Sequence, residues 1–275
     1  MNYKFKKSIK SRILCIILTL CIAIAGIVSS QVEETAFVSA GVGNNSCTTA
    51  GGRELPVYCV ETDKKVVAIS FDAAWGNEDT DEILNILEKN SVKATFFMTG
   101  EWVENYPDDV KKILAAGHDL ANHSENHKNM SQLSNKECEE ELMKVHNKVK
   151  ELTGYEMCLF RPPYGDYDNE VICKATECGY YTIQWSVDSL DWKNYGADAI
   201  VERVCCHKAL KPGAIILCHN GAEYTALALD TLIKRVKEMG YEFVSISELI
   251  FKDNYYMKVD GTQVSTLQNE PTSLQ

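Results

Sequence analysis

Five short segments of the 275-residue chain carry side chains able to do chemistry together. Two histidines stand four apart in His123-Ser124-Glu125-Asn126-His127, a spacing that on one side of a helical turn can bring two imidazoles to one metal ion. Asp72 follows the apolar run Val66 to Phe71 and begins the turn Ala73-Ala74-Trp75-Gly76. A carboxylate buried there has a raised pKa unless a cation offsets it, and near an ion it can serve as a general base. Arg161 precedes Pro162 and Pro163, which fix the backbone so that the guanidinium can be held rigidly against a carboxylate such as Asp72. Asp188-Ser189-Leu190-Asp191-Trp192 and Leu217-Cys218-His219-Asn220 complete the set. A buried histidine paired with a carboxylate becomes a proton donor near neutral pH, and an adjacent aromatic ring can form one wall of a sugar site. Each segment alone also suits a structural role: solvated histidines, a turn-capping aspartate, a surface arginine pair, a satisfied core histidine.

What joins them is the element that precedes each one. Short apolar runs alternate with amphipathic stretches, the pattern of β-α units around a mainly parallel sheet or barrel. The expected strands are Val66 to Phe71, Ala94 to Met98, His118 to Asn122, Tyr180 to Trp185, Ala214 to Cys218 and Tyr241 to Val244. Ser134 and Glu137 form a capping-box pair, after which Cys138, Leu142, Val145, Val149 and Leu152 recur at helical spacing. Leu229, Leu232, Ile233, Val236 and Met239 repeat that pattern into Gly240. Gly117, Gly179 and Gly240 each stand just before a strand, where a left-handed residue closes the preceding helix. Asp72, His123, Asp188, Asp191 and His219 all follow strands, and in parallel β/α folds those carboxyl ends converge on the ligand site.

Taken together and in this order, the Asp72 segment, H-S-x-x-H, R-P-P-Y-G, D-x-x-D-W and L-x-H resemble the polysaccharide deacetylase family. This family is also called the NodB-homology domain or carbohydrate esterase family four, and the likeness covers roughly residues 64 to 250. The resemblance implies an α/β fold, a distorted (β/α) barrel, that uses a divalent metal to remove N-acetyl groups from amino-sugar glycans or acetyl esters from others. It implies His123 and His127 as metal ligands, Asp72 as general base and His219 as general acid. Arg161 would orient Asp72, and Asp191 would tune His219. Trp192 and Leu217 would shape the acetyl pocket, and the backbone N–H of Tyr164 would hold the oxyanion.

One position departs from the family. Its first motif has two adjacent aspartates, the second a metal ligand, and here that place is Ala73, whose methyl group cannot bind a metal. Three outcomes are open: Asp72 itself reaches the ion, water or another ligand fills the gap, or the domain is metal-free and inactive. With the other residues all present, the reading is an active enzyme with an altered metal site. Fewer anionic ligands favour Zn²⁺, with Co²⁺ or Ni²⁺ as alternatives, over Mg²⁺. The expected partner is an acetylated glycan, cell-wall peptidoglycan or chitin-like oligomers. An O-acetyl esterase and a catalytically degraded glycan-binding protein are the competing functions.

The ends set the compartment. Lys4, Lys6, Lys7, Lys10 and Arg12 precede the apolar run Ile13 to Val28, the layout of a secretory signal peptide or an N-terminal membrane anchor over residues 1–30. A candidate cleavage site at Val38-Ser39-Ala40 lies far from that run, which favours the anchor. Residues 31–61 read as a linker, 62–250 as one domain and 251–275 as a loose tail. The net charge of −11, with the N-terminal cations set apart, excludes nucleic acid as a partner. Eleven cysteines give no assignable disulfide framework; Cys138, Cys173, Cys178 and Cys218 fall at apolar positions and read as small core residues.

Overall fold

The apolar runs become the strands of a parallel sheet that curls into a distorted barrel. The computed structural model describes residues 52–267. In chain order the elements are β1 (Cys59–Val60), β2 (Val66–Ala73), α1 (Thr80–Lys89), β3 (Thr95–Met98), α2 (Gly100–Asn105), α3 (Pro107–Ala115), β4 (Asp119–Asn122), α4 (Asn135–Thr153), β5 (Leu159–Phe160) and α5 (Asn169–Glu177). They continue with β6 (Tyr181–Thr182), β7 (Val187–Asp188), α6 (Ala197–Cys205), β8 (Ile215–His219), α7 (Thr225–Glu238), β9 (Glu242–Phe243), α8 (Ile246–Leu249), β10 (Tyr255–Met257) and β11 (Thr262–Ser265). The main sheet runs β6-β5-β4-β3-β2-β8-β7, with β9 paired to the start of β2, and every pairing in it is parallel.

Alternation along these strands decides where the functional residues point. In β2, Val67, Ile69, Phe71 and Ala73 pack in the apolar layer between sheet and helices, whereas Ala68 faces the barrel interior with Phe97, Ala121, Leu159, Ile183 and Ile215. Side chains two apart share a face. Asp72 therefore continues the inward row of Ala68, His123 that of Ala121, Arg161 that of Leu159, and Leu217 and His219 that of Ile215. The barrel interior is apolar at its amino end and becomes chemical at its carboxyl end.

The helix signals hold. Ser134 and Glu137 form the capping box of α4, which buries Cys138, Leu142, Val145 and Val149. Gly117, Gly179 and Gly240 have φ of 77°, 84° and 87°.

The folded region is wider than 62–250. Val57 bridges to Ile183 and Cys59 to Ala214, so the chain around β1 spans the opening between the two sides of the sheet. β11 pairs in parallel with β1 and antiparallel with β10, so residues expected in a linker and a tail form a second, three-stranded sheet. These strands are two to four residues long, too short for a period to show. The proposed leader and the other residues before 52 or after 267 lie outside the described region. Among the described residues no helix is long and apolar enough to cross a membrane. Cys138 and Cys218 are buried free thiols and Cys178 is half-buried, whereas Cys173 is disulfide-bonded, a pairing that its helical spacing did not reveal.

Gly213 makes that seam possible. Its φ is +81°, and a Cβ there would stand 1.8 Å from the carbonyl oxygen of Val60, while its own carbonyl accepts the Val60 N–H at 3.0 Å. Gly213→Ala is expected to cost about 2–3 kcal/mol through the left-handed backbone and the displaced β1 segment. A urea midpoint equal to wild type would refute this.

Candidate active site

Asp72 is 5% exposed, and its Oδ1 accepts a hydrogen bond from Arg161 Nη1 at 2.6 Å. Burial pushes its carboxyl pKa up, but the Arg161 guanidinium, with His123 and His219, outweighs this and holds it below the ordinary value. Arg161 is fully buried; its guanidinium carbon lies 4.0 Å from the centre of the Phe97 ring, and Nη2 donates to the Gln184 carbonyl at 3.3 Å. The proline pair thus fixes Arg161 against Asp72, as its position beside two rigid residues implied.

The two imidazoles meet, but not through a helix. Residues 123–129 form a loop in which Ser124 and His127 have φ of 66° and 52°, and the ring centres of His123 and His127 are 4.9 Å apart. The Asn122 carboxamide accepts from the Ser124 N–H, and buried Glu141 on α4 accepts from both the backbone and the side chain of Asn126 at 2.7 Å. Glu141 belongs to the site's support, and only its place within the α4 pattern could have hinted at it. His123 Nδ1 lies 2.7 Å from the Arg161 carbonyl, which can only accept, so Nδ1 carries the proton and Nε2 is left bare, 3.6 Å from Asp72 Oδ2. Burial lowers the His123 pKa to about 4 and also lowers that of His127, so both rings are neutral at pH 7.

On the far side, Asp191 is fully buried and collects four donors. Trp192 N and His219 Nδ1 donate to Oδ1 at 2.9 and 2.7 Å, and His219 N and Thr225 Oγ1 to Oδ2 at 2.7 and 2.6 Å. An oxygen pair so occupied acts as acceptor, which fixes the proton on His219 Nδ1 and leaves Nε2 to exchange protons elsewhere. Burial would lower the His219 pKa, but the hydrogen bond and charge of Asp191, followed by Asp72 and Asp188, raise it above 6.5. Thr225 has no motif of its own; its position at the first turn of α7 was the only available clue.

A cavity of about 380 Å³ joins these groups, with Asp72, His123, His127, Tyr164, Trp192, Leu217 and His219 on its wall. Arg161 and Asp191 stand behind it as supports. Trp75 and Trp185 also line the cavity, though neither belongs to a motif that assigns it a role. Ala73 does not: it is buried in the layer between sheet and helices. Among the described residues no three His, Cys, Asp or Glu side chains are grouped to hold a metal ion.

The chain is similar to several known proteins. It is 37% identical over 196 residues to a peptidoglycan-N-acetylglucosamine deacetylase of Bacillus cereus, covering 70% of this chain and 91% of that one. It is 34% identical over 203 residues to the peptidoglycan-N-acetylmuramic acid deacetylase PdaA of Bacillus subtilis, covering 71% and 75%. Against the uncharacterised protein YlxY of Bacillus subtilis, 37% identical, the chain spans 60% of the relative's length and the match takes in 71% of this chain. Among solved structures, the CE4 family pseudoenzyme BA3943 from Bacillus anthracis superposes with a TM-score of 0.68 at 38% identity, covering 72% of this chain and 69% of that one. A mutant of that pseudoenzyme is described as having restored enzymatic activity. The polysaccharide deacetylase family model matches residues 60–183, and with relatives this close over most of their length the chain belongs to the polysaccharide deacetylase family.

Proposed function

We propose that this protein is an extracytoplasmic deacetylase that hydrolyses N-acetyl groups of peptidoglycan amino sugars. The carrying observation is one cavity with an ionised carboxylate, Asp72, on one side and a carboxylate-paired imidazole, His219, on the other. Asp72 is suited to take the proton of the attacking water, because Arg161 keeps it ionised. His219 Nε2 is suited to protonate the leaving amine, without which an amide would not part. The Tyr164 N–H would stabilise the oxyanion, and Trp192 and Leu217 would bound the acetyl group. Export is supported by the N-terminal cations followed by Ile13 to Val28.

The neutral rings of His123 and His127 suit a divalent ion, and the bond from His123 Nδ1 to a backbone carbonyl is the orienting contact that metal-bound histidines use. They would supply two donors; Asp72 Oδ2 stands 3.6 Å from His123 Nε2 but is not grouped with both rings as a third, so water would complete the shell, and two imidazoles favour Zn²⁺, Co²⁺ or Ni²⁺. When bound, the ion would polarise the acetyl carbonyl and lower the pKa of water.

The test is acetate release from N-acetylated peptidoglycan and N-acetylglucosamine oligomers after chelation and after Zn²⁺ or Co²⁺ is restored. Turnover that disappears and returns supports the proposal, and no turnover with any metal overturns it. A second reading, a glycan-binding protein without catalysis, is favoured by Ala73 and by the likeness to a pseudoenzyme. Oligomer binding that ignores chelator and His219→Ala would select it.

The pH profile follows from the two pKa shifts. Activity should rise as Asp72 ionises, below the ordinary carboxylate range, and fall only as His219 deprotonates above 6.5. Asp191→Asn removes the charge that raises His219, so the falling limb should move to lower pH and kcat should drop roughly 10²-fold. An unmoved limb would show that another group carries it.

A further inference from the structure

The turn between β2 and α1 carries an aromatic residue to which the catalytic assignment gives no part. Trp75 is 48% exposed, yet its ring lies nearly parallel to the His219 imidazole, with centres 5.1 Å apart and planes 17° apart. Both sides of this turn are tied to the residues that follow His219. The Asn220 N–H donates to the Asp72 carbonyl at 3.1 Å, and the Gly221 N–H to Asp79 Oδ1 at 2.8 Å, an oxygen that also accepts from Asn220 Nδ2. Thr80 Oγ1 donates to Asn220 Oδ1 at 3.1 Å, and Trp102 Nε1 to the Gly76 carbonyl at 3.2 Å. Gly221 packs so closely that a Cβ there would lie 3.0 Å from the Gly76 oxygen and 3.4 Å from the Trp75 Cβ. The indole is therefore held in place by its backbone rather than by its own burial.

A ring fixed at one edge by a single hydrogen bond can still swing about it. Asp191 holds the Nδ1 edge of His219; Trp75 covers its face, and the negative face of an indole favours a cation beside it. We propose that Trp75 is a positioning residue that clamps the His219 ring so that Nε2 stays aimed into the cavity. This rests on the deacetylase reading for its catalytic consequence. Trp75 itself would touch no reacting atom.

The chemistry of the leaving group separates this role from others. An amine must be protonated to leave, whereas the phenolate of an activated aryl acetate leaves unprotonated. Trp75→Ala in the full chain should lower kcat on N-acetylglucosamine oligomers about 10²-fold, with KM and the aryl acetate rate little changed, and Trp75→Phe should restore most of the loss. His219→Ala should show the same selectivity. Equal losses on both substrates, or a change confined to KM, would overturn the clamp. A second readout needs no turnover: with ¹⁵N-histidine, the His219 Nδ1 proton should give a downfield resonance in the wild type and Trp75→Phe, and exchange away in Trp75→Ala. Its persistence in Trp75→Ala would also overturn the proposal. A wild type that releases no acetate would sink the deacetylase reading, while the Nδ1 proton would still decide whether Trp75 holds the ring.

Discussion

Asp72→Ala should abolish acetate release and also destabilise the domain by roughly 3–5 kcal/mol, because it leaves a buried guanidinium without its counter-charge. Removing catalytic groups often stabilises an enzyme, since active sites store strain and unpaired charge. Here the sign should reverse. Arg161 is fully buried, with Nη1 bound to Asp72 at 2.6 Å and Nε without any partner, so the aspartate is its main compensation. Asp72→Asn keeps the shape but not the charge and should fall between the two. Arg161→Met should also cost activity, because Asp72 would then lose the main charge that offsets its burial and its pKa would rise, leaving less base at neutral pH. The double variant Asp72→Asn/Arg161→Met should be less destabilised than the sum of the single variants, since neither charge is then left alone. Urea unfolding of the wild type and these four variants measures this. Additive losses, or an Asp72→Ala variant as stable as wild type, would show that water already solvates Arg161.

The sequence carried this pair further than it carried the loop between β4 and α4. Inward and outward residues alternate along each strand, so a charged residue two places beyond an interior apolar one had to enter the barrel. Asp72 and His219 were legible because each directly follows an expected strand, Arg161 because two prolines follow it, and Leu217 only through the family resemblance. The H-x-x-x-H spacing led to the right pairing by the wrong geometry: a helix would have been sufficient, but two left-handed residues, anchored by Asn122 and Glu141, do the same work. Loop backbone of this kind has no period to read. Three of the five two-residue strands, β1, β5 and β7, escaped for the same reason, and so did the sheet that β10 and β11 form with β1. Thr225 and Trp75 belong to the site through contacts across about 34 and 144 positions, which no local pattern encodes.

Ala73→Asp should make the protein's stability depend on metal more steeply than the wild type's does. Position 73 is fully buried and packs in the apolar layer, so a carboxylate placed there meets no cation, and the chelated variant should lose about 2–3 kcal/mol. An ion bound only by the native state stabilises by RT ln(1 + [L]/Kd), about 2.7 kcal/mol at a hundredfold excess over Kd. If the new carboxylate turns from that layer toward His123 and His127, it adds an anionic donor to two neutral ones, and Zn²⁺ should recover most of the loss. Thermal unfolding of both proteins, chelated and then with Zn²⁺ or Co²⁺, measures the balance. A variant that is destabilised and deaf to metal would mean that the backbone at the end of β2 cannot present residue 73 to the imidazoles, and it would favour the glycan-binding reading. A wild type that responds to Zn²⁺ as strongly as the variant would mean the reverse: two oriented imidazoles already suffice, and Ala73 removes a ligand that this site does not need.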